Sequence, residues 1–480
     1  MPPVLYRFTR DLRLHDHAGL SAASAIGEVL PVLVIDRATE ARLRTSPRRA
    51  AFFCGAVAAL DASLRERGTH LVVRRGNAAP VLKQLAKASG AHAVGWSASF
   101  DAPASQADRK LQSDLEEAGL RALIAMDAPA IGPEETTAAR PSAGDGYRAF
   151  VPYHELWREL HPASHEAPLF LSFAQSDVVS EPLPQPSEFG SGLPRADAGE
   201  TLAADRFRAF LQNDGLQYAF ALGAPAEDRT SRLGADLSFG TIAARTIVRE
   251  TRERIDDPFL LAEERNSLKR FLRSMALRDF FLQLAWYNPQ TQTEPLQEKM
   301  RDFPFAKSHP ALDAWRSGCT GYPLVDAGIR QLHATGWMHP RIRSIAASFL
   351  CFDLGVDWRA GLAEWDRHLI EDEASLAIGN WQWVAGVGAD LAAYPRIFNP
   401  RKQARRFDPN GAYIKTWLPE LAHLPAGAIG AALTASSQIE LPLFSDDAYP
   451  QPVVDHERAA REFLKRYQAF MPASDRQASR

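Results

Sequence analysis

Cysteine is scarce. The 480 residues hold three, Cys54, Cys319 and Cys351, and none lies in a CxxC or comparable pair. A structural zinc or an iron–sulfur cluster draws on about four close-set ligands, so no metal is expected and the thiols read as free and buried. Long hydrophobic runs are missing too. No window approaches the roughly 18 consecutive apolar residues of a membrane-spanning helix. The opening stretch MPPVLYRFTRDLRLHD has no signal-peptide pattern, so the expectation is a cytoplasmic protein without a membrane partner. Charge of one sign is also lacking: the net charge of −3 gives no overall pull toward nucleic acid. Local basic faces escape that average. NPRKQARR, with Arg401, Lys402, Arg405 and Arg406, is one, and by itself it reads as a solvated surface.

What is present is an ordinary globular composition, 46% hydrophobic and 24% charged, in a chain long enough for two or three domains. From residue 3 to about 128, short apolar runs (PVLYRF, VLPVLVID, HLVVRRG, AHAVGWSA, RALIAMD) alternate with helical stretches such as SPRRAAFFCGAVAALDASLRERG. That alternation predicts an α/β domain over 1–128, built on a doubly wound parallel sheet. Residues 129–200 are rich in Pro, Gly and Ser and read as an interdomain linker, broken by one helical piece, YHELWRELH. From 201 to 480 apolar residues recur at i, i+3 and i+4, as in RNSLKRFLRSMALRDFFLQLAW, which predicts a large all-α domain. Eight of the ten tryptophans lie after residue 280. They suit either a large core or the lining of a π-rich cofactor site.

The wording of the chain chooses between these. RFTRDLRLHDHAGL (7–20), GYRAFVPY (146–153), DRTSRLGADLSFGTIAAR (228–245), TGYPLVDAGIRQLHATGWMHPRIRSIAASFL (320–350), GNWQWVAGVGAD (379–390) and YPRIFNPRKQARRFDPNGAYIKTWLPEL (394–421) resemble the cryptochrome/photolyase family, in the family's order and over nearly the whole chain. The resemblance implies an amino-terminal α/β antenna domain and a helical domain that binds FAD. It also implies blue-light-driven electron transfer from reduced FAD to pyrimidine dimers in DNA, as in a deoxyribodipyrimidine photolyase, or light sensing in a cryptochrome.

Cofactor residues follow by the same resemblance. Thr230 and Ser231, with Arg232 and Leu233, fall where a helix is expected to begin and would meet the diphosphate; alone they read as a simple N-cap. Tyr218, Arg278, Glu373 and Ala377 join them, Ala377 at the position that faces flavin N5. Arg343 is implied beside the flavin ring, paired with Glu371. Asn399 is expected to shape a turn. Trp381 and Trp383 sit two residues apart, so on a helix they point about 200° apart. The family uses the first as electron donor to excited flavin, with Trp358 next in line, and the second as a wall for a flipped base.

Departures cluster where the lesion would bind. Ser274 and Leu277 stand where dimer-repairing members carry Glu and Trp, Pro340 and Ser344 where they carry Asn and Met, while Arg341 and Trp383 are retained. Phe305 replaces the third tryptophan of the electron chain, leaving Trp315, Trp365 or Tyr287 as detours. A folate antenna would want an Asn–Glu pair where Ala102, Pro103, Ala104 and Ser105 stand, so a second chromophore is of undetermined identity. Only His339 stands where a (6-4) enzyme would place a histidine pair. About ten residues follow Phe470, too few for a long signalling tail. The expectation is therefore a photolyase acting on DNA that contains pyrimidine photoproducts, with a cryptochrome-like photoreceptor as the alternative.

Overall fold

The computed structural model describes residues 2–140, 146–164, 172–174, 178–389, 395–425, 429 and 449–471. The chain divides into two compact units: Met1–Gln217, Ser231–Gln292 and Ile370–Leu376 form the first, and Tyr218–Thr230, Thr293–Leu369 and Ala377–Arg480 the second.

The five apolar runs of the amino-terminal region form the strands of the first unit: β1 (Pro3–Phe8), β2 (Glu28–Ile35), β3 (Val72–Arg75), β4 (Ala93–Ser97) and β5 (Arg121–Ala125). They pair in the order β3-β2-β1-β4-β5, all parallel. β1 shows why the runs are nearly continuous in hydrophobicity. Val4, Tyr6 and Phe8 point to one face and meet Ala50, Phe53 and Val57 of the helix Pro47–Arg65. Leu5 points to the other, with Leu82 and Leu85 of Ala78–Ser89 and Leu111 and Leu115 of Ala102–Glu116. Both faces are covered, so no polar alternation survives. Helix starts follow local chemistry. Ser46 accepts from Arg49 N with Pro47 in the first turn, and Asp101 accepts from Ala104 N, so Ala102 to Ser105 open a helix.

The first three strands build outward on one side of β1 and the last two on the other, so chain connections diverge at the carboxyl ends of β1 and β4. Such a reversal opens a crevice at the sheet edge. Its floor is an acid–base cluster. Asp127, just after β5, accepts from Arg13 Nη2 at 2.7 Å, Arg245 Nη2 at 2.7 Å and Ala18 N at 3.0 Å. The same two guanidinium groups donate to the carbonyl of Asp16, and Thr246 Oγ1 donates to its carboxylate. Asp16 itself has φ 46°. Beside it, Tyr6 Oη and Ser97 Oγ both donate to Asp11 Oδ2.

The long helix Ala262–Tyr287 also belongs to the first unit. Its Asp279 accepts from the backbone N–H of Ala130 and Ile131 and from Trp157 Nε1 at 2.9 Å, tying it to the helix Phe150–Glu159. Burial pushes the Asp279 carboxyl up to about 6 despite these donors. In the segment expected to be linker, Pro133–Ala139 is also helical, begun by Pro133 with Glu135 reaching back to Gly132; residues 141–145, 165–171 and 175–177 of that stretch lie outside the described residues.

In the second unit the described elements are helices. Pro323–Thr335, Pro340–Ser348 and Trp358–His368 pack around apolar side chains, and Phe349–Asp353 continues the second of them as a π-helical turn. Cys54 and Cys351 are buried and free, as expected, but Cys319 is only partly covered.

Asp127 carries the first testable consequence. Burial would raise its pKa, but Arg13, His17 and Arg245 hold it well below the usual carboxylate range. Because its unfolded value is near 3.9, the stability it contributes is present above that value and is lost as pH falls through the folded one. Asp127→Asn leaves the buried Arg13 without its carboxylate and Arg245 with Asp16 alone. It should cost about 3–5 kcal/mol and shallow the acid limb of the stability profile, checked by unfolding midpoints from pH 7 to pH 3.

Candidate functional site

The crevice at the end of β1 and β4 is lined by Thr9, Arg10, Ser97, Ser99, Phe100, Asp127 and Glu373 among others. Arg10 crosses it, donating to Asp101 Oδ2 at 2.6 Å and to the Asp372 carbonyl at 2.8 Å, with Glu373 Oε1 at 3.9 Å. Asp372 in turn is paired with Arg42, with Arg49 at 3.8 Å, and its N–H donates to Ser238 Oγ. These pairs anchor the short strand of chain 370–376 to the first unit, and it is this segment that carries Glu371 and Glu373. Glu371 lies over the start of the helix Gly234–Phe239: a Cβ on Gly234 would fall 2.4 Å from its Oε1. Only glycine at 234 leaves that carboxylate its place.

Thr230 and Ser231 do not begin a helix. The helix starts at Gly234, with Leu233 as an N-cap lacking a side-chain bond. Asp228 and Arg232 have φ of 49° and 55°, so the TSR segment is an irregular turn. Left-handed backbone at non-glycine residues costs energy and persists where surrounding structure imposes it.

Each unit contains buried polar atoms without a hydrogen-bond partner. In the first unit they include Arg278 Nη2 and Ser375 Oγ, with Glu373 Oε1 reached only by the long Arg10 pair; in the second, Thr230 Oγ1 and Trp381 Nε1. Such atoms occur elsewhere, as at Trp96 Nε1. Here, however, they are a guanidinium, two hydroxyls and an indole N–H, with one carboxylate oxygen. Donors left unsatisfied at about 1–3 kcal/mol each fit a bound group rich in acceptors. Phosphate oxygens and the ring heteroatoms of FAD supply acceptors of that kind, so the residues present fit the flavin that the resemblance implies. Arg278 is 6% exposed and its Nη1 donates to the Ala128 carbonyl at 2.7 Å. That burial suits an enclosed anion rather than a phosphate on a DNA surface. Ser375 escaped the sequence reading; its one signal was a hydroxyl in the first turn of the helix Ala374–Val384.

That helix separates its two tryptophans as the spacing required. Trp381 is 1% exposed, and Trp383 is half-buried. Gln382 between them binds backbone, accepting from Leu296 N and donating to the Glu294 carbonyl. Trp381 packs on Trp365 with ring centroids 4.4 Å apart. Trp358, the next expected relay, is fully buried with its Nε1 unpaired. Phe305 joins an aromatic cluster with Phe303 and Phe463. Of the detours, Trp365 touches Trp381, whereas Trp315 is buried with its Nε1 bonded to the Ala346 carbonyl. Tyr287 shares a hydrogen bond with Thr137. Tyr218 is buried in the second unit, and Ala377 is half-buried on the Ala374–Val384 helix.

On the long helix, Ser274 and Leu277 are three residues apart and both half-buried, so they share one face. The second unit carries Arg341, whose guanidinium lies 4.9 Å over the Phe407 ring, and Arg343, whose Nε donates to the Met338 carbonyl at 2.8 Å. His339 is fully buried and structural. Its Nδ1 accepts from Arg341 N, its Nε2 faces the Ala221 carbonyl, and burial pulls its pKa down to about 4. Asn399 caps the helix Pro400–Phe407 by accepting from Lys402 N, and that helix exposes Lys402, Arg405 and Arg406.

The chain is similar to known proteins over nearly its whole length. Residues 4–170 match the family described as DNA photolyase, and 271–469 the FAD binding domain of DNA photolyase. The chain is 34% identical to the deoxyribodipyrimidine photo-lyase of Halobacterium salinarum, over 97% of this chain and 98% of that one. It superposes on a bacterial class III photolyase from Agrobacterium tumefaciens with a TM-score of 0.83 at 30% identity, covering 98% of both chains. A Synechocystis cryptochrome gives a TM-score of 0.83 at 27% identity, covering 97% of this chain and 99% of the other.

Close packing around Trp381 can be tested directly. A Cβ at Gly361 would fall 2.1 Å from the Trp381 ring and 2.5 Å from Leu350. Gly→Ala inside a helix ordinarily gains about 1 kcal/mol; Gly361→Ala should instead lose about 1–3 kcal/mol by overpacking. A lowered thermal midpoint and altered tryptophan fluorescence are expected.

Proposed function

The chain belongs to the DNA photolyase family, and we propose that it is a blue-light-dependent FAD flavoprotein that splits UV-induced pyrimidine dimers in DNA. The observation that carries this reading is the family match over both regions of the chain, supported by buried, unpartnered donors of Arg278, Ser375 and Trp381 inside the FAD-binding region. Reduced FAD, when bound, supplies the light-excited electron. The chain's own residues bind, orient and shield. Thr230, Ser231 and Arg278 offer donors to the diphosphate, supported by Ser375, while Arg232, Leu233 and Tyr218 shape its surroundings. Arg343 supplies a cation, with Glu371 as its proposed counter-charge and Glu373 as a second carboxylate. Ala377 presents no polar atom, so it leaves protons at the flavin ring to water or backbone.

Trp381, buried against Trp365, is the proposed electron donor to excited flavin, with Trp358 next. Phe305 closes the usual exit, because phenylalanine is far harder to oxidise than tryptophan. Trp383 is the proposed stacking wall for a flipped base, and Arg341 the proposed DNA contact. The exposed cations of the Pro400–Phe407 helix add backbone attraction that weakens with salt. A second chromophore belongs, on this reading, to the crevice between β1 and β4, where the Arg10–Asp101 pair must open to admit a flat ring system.

Ser274 and Leu277 favour the second reading, a cryptochrome-like photoreceptor without dimer repair. Ser274 is too short to reach a thymine edge, and Leu277 lacks a flat stacking surface. His339, neutral and engaged with backbone, gives no support to (6-4) repair.

Two experiments separate these readings. Reduced holoprotein under blue light, given oligonucleotides carrying one cyclobutane dimer or one (6-4) product, should split the cyclobutane dimer into intact pyrimidines above dark controls, followed by chromatography. Absence of repair with a reversible light-driven flavin spectrum moves the assignment to the photoreceptor. In the second, Ser274→Glu combined with Leu277→Trp should tighten binding to dimer-containing over undamaged DNA by about tenfold, about 1.4 kcal/mol. Unchanged discrimination would place the lesion away from this face.

A further inference from the structure

The helices Pro323–Thr335 and Trp358–His368 of the second unit bring together three metal-ligating side chains, none of them assigned to flavin or lesion. His333, Glu364 and His368 offer one ligand atom each, all within 4.8 Å of one another, the one such group among the described residues. The two imidazole rings lie face to face, centroids 4.1 Å apart at 32°. Glu364 and His368 stand four residues apart on one helix face, which is the spacing that lets two side chains grip one ion.

The carboxylate is already divided between two tasks. Glu364 Oε1 lies 3.1 Å from His368 Nε2. Its Oε2 holds Arg367 at 3.0 Å, with Arg316 at 3.6 Å, and the residue is 6% exposed. Two arginines thus fix the orientation of the carboxylate while leaving the oxygen that faces the imidazoles in place, as outer partners do in metal centres. Both histidines are part-exposed, so an ion has a path from solvent. Tetrahedral coordination at about 2.0–2.1 Å from each ligand needs ligand atoms about 3.3 Å apart, which side-chain rotation can supply from the present separation.

We propose that His333, Glu364 and His368 form a binding site for one borderline divalent transition metal, zinc(II) in its simplest form, with the remaining coordination position open to water. Two imidazoles and one carboxylate suit zinc, nickel or copper and disfavour magnesium and calcium, which seek oxygen. Cysteine count gave no hint of such a site, because it uses none. The neighbouring arginines make it weaker than a closed four-ligand centre. Bound metal would join the two helices and brace the one that carries Trp358 and Trp365, whose ring rests on Trp381.

The test uses the full-length, tag-free holoprotein, stripped with chelator and then dialysed against zinc alone, with retained metal measured by atomic emission. One equivalent is expected, together with a zinc-dependent rise in thermal midpoint that magnesium does not reproduce. His333→Ala and His368→Ala should each abolish stoichiometric retention and the midpoint shift, and Glu364→Gln should weaken both. Flavin content and the midpoint without zinc report that each variant is folded; His333→Gln, closer in volume, replaces any variant that is not. Failure to retain zinc, or retention undiminished by both histidine substitutions, overturns the site and leaves the three residues as an ion-pair cluster between helices.

Discussion

The carboxylate of Asp127 is the interaction on which the first unit depends. It stands at the end of β5, and it takes hydrogen bonds from Arg13, Arg245 and the N–H of Ala18. Those donors come from the turn after β1 and from the helix Ala244–Ile255, far apart in sequence. Two guanidinium groups cannot be buried so near each other without anionic charge, and the carboxylates of Asp127 and Asp16 provide it. The cluster thereby sets where β1 and β5 end and how the 7–20 segment turns. The crevice at the strand reversal inherits its shape from that turn, in which Asp11 accepts from Thr9 N while Arg10 between them reaches across to Asp101.

Polar residues of the motifs fall into two groups once the structure is known. Asn399, His339, Gln382 and Asp279 have their partners within the chain, as caps or as ties between segments. Arg278 Nη2, Thr230 Oγ1, Ser375 Oγ and Trp381 Nε1 do not. The first group holds backbone in place; the second has bonding capacity left for a ligand. The same stretch of chain mixes the two, and only a full account of donors and acceptors separates them.

Functional readings differ in how they treat the face of Ser274 and Leu277. On the proposed lesion site, repair asks that face for a long hydrogen-bonding side chain and a flat surface, and it offers a short hydroxyl and an aliphatic chain; sensing asks nothing of it. Electron supply points the other way. With Phe305 in an aromatic cluster, the contact between Trp381 and Trp365 is the one observed detour, and Trp365 is itself buried. A chain that receives its flavin already reduced has little need of a surface exit, which accords with repair.

Much was legible from the residues alone. The five apolar runs became five parallel strands, and in β1, β2 and β4 burial on both sheet faces demands the continuous hydrophobicity visible without coordinates. Trp381 and Trp383 had to diverge because a helix turns about 100° per residue. The helix from Ser46 matches the stretch read as helical from the sequence, whereas Ala102–Ser105, read as a loop, opens a helix capped by Asp101. The helix start expected at Thr230 is not there. Arg232 takes a left-handed conformation there, and Glu371, far away in sequence, lies against Gly234. The His333, Glu364 and His368 group was likewise invisible, since it joins two helices whose packing no local pattern specifies. What the sequence by itself determined is what depends on neighbours along the chain: periodicity, caps, composition and the family wording. Tertiary structure alone decided which polar atoms were left without partners and which distant side chains met, because both depend on contacts between segments that propensity does not encode.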